Sequence, residues 1–149
     1  METPVTKQLL WALVSRFEGF YPRPYLCSAG VPTIGFGTTF YPDGRRVTLL
    51  DPPITKEEAY NYAWSELIVC IRNAVKLSPS LAYDSEGLAA IADFIYNLGA
   101  WAYRSSTLRK YTNAGDRTEA RAQILRWNKA GGRVLRGLTA RRQAEALLL

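Results

Sequence analysis

The chain has 149 residues, 48% of them hydrophobic and 21% charged, which is one domain's worth of sequence with apolar content enough for a core that needs neither disulfides nor metal. It carries no low-complexity run, no internal repeat, no histidine, and no apolar stretch long enough to span a bilayer, so a His-based triad is excluded; two cysteines far apart do not make a zinc motif. The net charge of +6 is uneven: residues 1–103 hold eight Lys or Arg against ten Asp or Glu, and residues 104–149 hold eleven against three, a pattern read either as solvated helix faces or as attraction to a polyanion.

The opening METPVTKQLLWALVSRFE lacks the charged segment, apolar core and small-residue cleavage site of a secretion signal. Its periodicity predicts a helix from a cap at Thr3 or Thr6 to Glu18, with Leu9, Ala12, Leu13 and Phe17 on one face, Pro4 in the first turn and Gly19 as the left-handed stop. Beyond two prolines, Tyr25–Cys27 has strand character, Ser28-Ala29-Gly30 reads as a turn, and a second strand is expected around Thr33 to Phe36. Pro42-Asp43-Gly44 is a further turn signal that would return Arg45–Thr48 as a third strand.

Thr55 and Glu58 form a capping box after Ile54, opening a helix to about Val75 with Ala59, Ala63, Leu67, Cys70, Ala74 and Leu77 on one face. Ser85 to Leu98 is apolar almost all round, predicting a buried central helix ended by Gly99. Ser105 or Ser106 is expected to cap a short helix to Tyr111, and Asp116 with Glu119 to start another whose Ile124 and Trp127 point inward and which Gly131 and Gly132 stop. Thr139 would cap a last helix. Helices in series with one small antiparallel sheet near the N-terminus make an α+β fold, here a single domain with a sheet lobe over 17–54, a helical lobe from 1–16 and 76–149, and helix 55–75 as the link.

Glu18 is the most chemically interesting acid. It sits in a last helical turn, where the negative end of the helix dipole and the aromatic side chains of Phe17, Phe20 and Tyr21 both favour the protonated form. Cys27 and Thr33 fall on the hairpin that follows. The pattern Glu18-x8-Cys27-x5-Thr33 followed by IGFGTT resembles the catalytic signature of phage-type lysozymes, in which the middle position is usually Asp and sometimes Cys. The resemblance continues through DFIYNLGAWAYRSSTLRKYTNAGD and GGRVLRGLTARRQAEALLL, in family order, and covers nearly the whole chain.

That resemblance implies a mostly helical lysozyme-like fold and an endolysin that cleaves the β-1,4 bond between N-acetylmuramic acid and N-acetylglucosamine of peptidoglycan, without a cofactor or metal. It implies Glu18 as the acid, Cys27 and Thr33 as the pair that manages a water, and Tyr96, Asn97, Ser106 and Thr107 as groups that grip sugar hydroxyls and acetamides. Arg133 falls near the place of a basic residue set against the catalytic Glu. A monomer is expected, waiting in the host cytoplasm, without stable membrane insertion, until a separate hole-forming protein, a holin, admits it to the periplasm. The polyanion could then be the wall or outer-membrane lipopolysaccharide. Cys70 reads as a core residue, and a Cys27–Cys70 disulfide is not expected. Two other readings stay open: a lytic transglycosylase, which needs one acid and no water, and a basic helical nucleic-acid module, which leaves the first forty residues unexplained.

Overall fold

The structure, a computed structural model, describes residues 3–149. Its elements run α1 Pro4–Glu18, β1 Tyr21–Leu26, β2 Pro32–Gly35, α2 Lys56–Leu77, a single 3-10 turn at Pro79–Tyr83, α3 Ser85–Leu98, α4 Ala100–Arg104, α5 Thr107–Ala114, α6 Arg117–Ile124, β3 Lys129–Ala130, β4 Arg133–Val134 and α7 Arg136–Ala146. This is the α+β architecture the sequence predicts. Val14–Ile68 forms one compact unit; the chain through Leu13 together with Val69–Leu149 forms another. Among the described residues no helix is long and apolar enough to cross a membrane.

The first unit is built around a short antiparallel pair. Tyr25 lies opposite Thr33 and Leu26 opposite Pro32, and the register slips between Tyr21 and Tyr25, where Pro22 and Pro24 have no N–H to give to the ladder. The prolines are thus inside β1, not ahead of it. Cys27, Gly30 and Val31 close the turn: the Cys27 N–H donates to the Val31 carbonyl at 3.0 Å and the Gly30 N–H to the Cys27 carbonyl at 2.8 Å.

The expected third strand does not form. The turn at Asp43-Gly44 is present, with Tyr41 N–H donating to the Arg45 carbonyl at 2.9 Å, but only the Phe40 and Arg46 pair makes a bridge. Asp51 takes the one backbone donor of Thr48, whose N–H it accepts at 3.0 Å, and also accepts the Thr48 hydroxyl at 2.7 Å and the Tyr41 hydroxyl at 2.7 Å. Ile34, Tyr41 and Val47 pack beneath, with Ile54 and Tyr62 against them.

In α1 the Thr3 hydroxyl accepts from the Thr6 N–H at 3.1 Å, which makes Thr3 the cap. The buried face is Thr6, Leu10, Leu13 and Val14; Leu9 and Phe17 are half-buried and Ala12 is exposed, so the predicted stripe is rotated. In α2 the capping box is complete, with Glu58 N–H on the Thr55 hydroxyl at 3.1 Å and Thr55 N–H on the Glu58 carboxylate at 3.0 Å. Ala59, Ala63, Leu67, Cys70 and Ala74 are buried as predicted. Both cysteines are free.

The second unit is organised by α3, whose residues Gly87 to Ile95 are all buried and whose cap is Asp84. Phe94 stacks edge-on against Tyr103 and Trp127, with ring centroids at 6.1 and 5.4 Å. Ser106 caps α5 and Asp116 caps α6, as predicted. Gly131 and Gly132 do not stop a helix. The α6 helix has already ended at Ile124, and the two glycines, at φ +58° and +77°, make the tight turn of the β3–β4 hairpin. Nor does Thr139 cap α7: Leu135 is the residue at the cap position, and the Thr139 hydroxyl, already inside the helix, receives the Asn128 side-chain amide at 3.2 Å.

Candidate active site

Glu18 ends α1, where Gly19 turns the chain at φ +69°. The next constraint on it comes from Gly37, in the IGFGTT segment. A β-carbon at Gly37 would lie 2.8 Å from Glu18 Oε1 and 2.9 Å from its carboxyl carbon, so the carboxyl rests on the bare glycine backbone at φ +88°. Glycine at this position satisfies two demands at once, the left-handed backbone and the close approach of the acid.

Tyr25 ties Glu18 to the hairpin. Its hydroxyl is pushed up to about 12, first by burial and then by the charges of Glu18, Tyr21 and Cys27, so it senses both predicted catalytic groups. Its ring lies 4.2 Å from that of Tyr21. Glu66 on α2 also senses Glu18. Although solvent-accessible as a residue, its carboxyl is raised above the ordinary value by the protein mass around it and secondly by the Glu18 charge.

Cys27 follows β1 directly and is half-buried. Burial alone would push its thiol up, but hydrogen bonds from the backbone of Val31 and Ala29 and from the Thr33 hydroxyl favour the thiolate, and the result is a pKa below the ordinary 9.0. The net shift is downward because the turn aims its N–H groups at the sulfur.

Thr33 is buried in β2. Its hydroxyl donates to the Val31 carbonyl at 2.9 Å and lies near enough to the Cys27 sulfur to favour its charged form. Thus Glu18, Cys27 and Thr33 stand in one compact unit, Val14–Ile68, with Tyr25 and Gly37 as neighbours that spacing alone does not single out.

The remaining predicted residues belong to the other unit. Tyr96 and Asn97 are half-buried near the end of α3, and Asn97 Oδ1 accepts from Arg142 Nη2 at 2.7 Å, leaving its amide N–H groups outside that bond. Ser106 is committed as a cap, accepting from Arg109 N–H at 3.0 Å and donating to the Tyr103 carbonyl at 2.6 Å. Thr107 is exposed and lines a shallow cavity of 340 Å³ with Gln123, Arg126 and Trp127, three residues that sequence reasoning did not assign to a site. Arg133 is exposed on β4. Below these lies a buried ionic cluster, also missed: Arg141 makes a two-pronged pair with Asp93 at 2.9 and 2.7 Å, and Arg142 pairs with Glu145 at 2.7 Å.

Among the described residues no group of three or more His, Cys, Asp or Glu is placed to hold a metal ion. The candidate groups gathered in the Val14–Ile68 unit are an acid, a thiol and a hydroxyl.

Residues 15–145 match the phage lysozyme family. The chain is 34% identical to an endolysin of Acyrthosiphon pisum secondary endosymbiont phage 1 over 91% of both chains. It is 48% identical to an endolysin of Bacillus phage PZA over 91% of this chain but only 51% of that protein, so it spans about half the length of that relative. A solved endolysin from the Escherichia coli O157:H7 phage FAHEc1 superposes with a TM-score of 0.81 at 27% identity, covering 99% of this chain and 92% of the other.

Proposed function

The chain belongs to the phage lysozyme family and is a glycosidase of the endolysin and muramidase kind, and from that premise we propose that it hydrolyses the β-1,4 bond between N-acetylmuramic acid and N-acetylglucosamine in bacterial peptidoglycan. The observation that carries the residue assignment is the seating of Glu18 on Gly37 beside the hairpin that holds Cys27 and Thr33. Glu18 protonates the departing glycosidic oxygen. Cys27 and Thr33 prepare the water that attacks from the opposite face of the sugar, as an inverting mechanism requires. A thiol held below its ordinary pKa by backbone N–H groups supports this role, because its thiolate accepts a proton from that water more readily than the neutral thiol does.

In the other unit, Tyr96, Asn97 and Thr107 supply polar contacts to sugar hydroxyls and acetamides, with Ser106 as the cap that sets the start of α5 and Arg133 as a basic contact. The protein acts as a monomer and reaches the wall when a separate membrane-permeabilising protein opens the way from the host cytoplasm to the periplasm.

The test is a turbidity assay on outer-membrane-permeabilised cells with wild type and Glu18→Gln, followed by chemical analysis of the released glycan. Loss of clearing in the mutant and new reducing ends in the wild-type products are expected. Full activity in Glu18→Gln would end the assignment, and anhydro ends would replace hydrolysis with the transglycosylase reaction.

A further inference from the structure

In the unit that contains Val69–Leu149, the C-terminal end of α2, helix α4 and the start of α5 enclose an open depression of 400 Å³ lined by Asn73, Lys76, Trp101, Arg104 and Arg109 with the apolar Leu77 and Ala100. Nothing in the reaction above uses it. The lining contains three cations and no acid. None of the three is ion-paired among the described residues, whereas Arg141 and Arg142 elsewhere in the same basic third are buried and paired. Trp101 is 73% exposed, an unusual amount of apolar ring to leave in water for a side chain with so much surface to bury.

The ring is also held in place. The Arg104 guanidinium carbon sits 5.4 Å from the Trp101 ring centroid, a cation–π contact that fixes the indole and leaves most of its surface open. Arg109 is fixed more firmly: Nε donates to the Leu77 carbonyl at 2.9 Å and Nη1 to the Arg104 carbonyl at 3.3 Å, which leaves Nη2 outside both bonds. Asn113 adds a second donor to the Leu77 carbonyl at 3.2 Å, so the floor of the depression is tied together from α5. A positioned guanidinium and an immobilised aromatic plate lose little side-chain entropy when a ligand arrives.

We propose that this depression is a binding site for an anionic saccharide, with the C–H face of one sugar ring on the Trp101 indole and the carboxylate or phosphate of the same glycan on Arg104, Lys76 and Arg109. An aromatic plate suits the apolar face of a pyranose, and unpaired guanidinium groups suit a two-oxygen anion better than a lone ammonium does. The Asn73 amide, which both donates and accepts, suits a ring hydroxyl or an acetamide. The choice of a glycan over other anions rests on the proposed function, since a wall-degrading enzyme meets muramyl carboxylates and phosphorylated wall or lipopolysaccharide sugars. The site would retain the enzyme on its polymer without taking part in bond cleavage.

The experiment follows the Trp101 indole N–H by nitrogen–proton correlation NMR on the full chain and on Glu18→Gln, which separates binding from turnover. The probes are N-acetylmuramic acid, N-acetylglucosamine 1-phosphate, neutral tri-N-acetylchitotriose, inorganic phosphate and a short single-stranded oligonucleotide. Saturable shifts with one or both acidic sugars are expected, and the one that binds tells carboxylate from phosphate sources. Trp101→Ala and Arg104→Gln should each weaken that binding about tenfold, the size of one stacking or charge-assisted contact. They should lower the clearing of intact sacculi while cleavage of a small neutral oligosaccharide stays at the wild-type rate. Equal binding of the neutral trimer, equal binding of inorganic phosphate, tighter binding of the oligonucleotide, or no saturable shift would each overturn the inference. A protein that binds acidic sugars here yet cleaves no glycan would keep this site and sink the proposed reaction.

Discussion

Replacing Gly37 with alanine separates the two demands met at that glycine. The first is backbone strain: at φ +88° an L-residue costs about 1–2 kcal/mol. The second is contact, since the new β-carbon would lie 2.8 Å from Glu18 Oε1 and 3.3 Å from its γ-carbon, well inside an ordinary separation of about 3.5 Å. The carboxyl is the free end of a flexible side chain and yields by roughly 0.6–1 Å at little cost to folding. A displacement of about 1 Å at a reacting group lowers the rate about 100-fold, or roughly 2.7 kcal/mol of barrier. Gly44 provides the control, having φ +87° and nothing within 4 Å of an added β-carbon. Thermal unfolding and peptidoglycan hydrolysis are measured on both variants. Gly37→Ala and Gly44→Ala should lose similar stability, about 1–2 kcal/mol each, while only Gly37→Ala loses about two orders of magnitude in kcat. Equal catalytic losses, or a Gly37→Ala enzyme of wild-type rate, would refute the claim that Gly37 seats the acid.

Removing the Thr33 hydroxyl takes away one of the groups that stabilise the Cys27 thiolate, so Thr33→Val should move the pH midpoint of Cys27 alkylation upward; an unmoved midpoint would detach Thr33 from the thiol. Cys27→Ala should lose about 100-fold or more in rate while Cys27→Asp keeps substantial activity and resists thiol-blocking reagents, with rates and product stereochemistry as the measurements. In Asp93, burial raises the carboxyl pKa but the Arg141 charge and hydrogen bonds more than reverse it, so the pair contributes stability above the ordinary carboxylate range that is lost as pH falls through the lower folded value. Asp93→Asn, which strands the buried Arg141, should cost about 3–5 kcal/mol in denaturant unfolding at neutral pH, and a loss below about 1 kcal/mol would contradict the pairing. If the basic C-terminal third steers the enzyme to its polymer, added salt should slow lysis of cells far more than cleavage of a neutral oligosaccharide, and equal responses would leave those charges as a solvated face.

The parts of the fold legible in the sequence are those whose signals are contiguous. The Thr55 and Glu58 box, the Ser106 and Asp116 caps, and the nearly all-apolar run of α3 each state their structure within a few residues. The failures come where a distant partner decides. Asp51 holds Thr48 and Tyr41 in a segment expected as a strand, Asn128 claims the Thr139 hydroxyl that looked like a cap, and Gly131-Gly132 suits a helix stop and a hairpin turn equally well in sequence. Charge misleads in the same way. Arg141 and Arg142 read as part of a solvated basic face, but both are buried, because Asp93 lies 48 residues away on α3 facing Arg141, and Asn97, one turn on, receives Arg142.

The candidate site was legible to different depths for a related reason. The family resemblance singled out Glu18, Cys27 and Thr33 as candidates, and the fold puts all three in the Val14–Ile68 unit. The resemblance could not supply the sign of the electrostatics at Cys27. From sequence, a thiol beside an acid is a poor base; in the fold, the hairpin turn that positions Cys27 also directs the Val31 and Ala29 N–H groups and the Thr33 hydroxyl towards it. Donors arranged in that way favour a negative charge at this position whether the atom carrying it is sulfur or oxygen. The hairpin backbone therefore favours a negative charge at position 27, on a thiolate or a carboxylate alike. A cysteine at this position is then an atom able to carry that charge within a turn whose Val31 and Ala29 N–H groups and Thr33 hydroxyl favour the charged form.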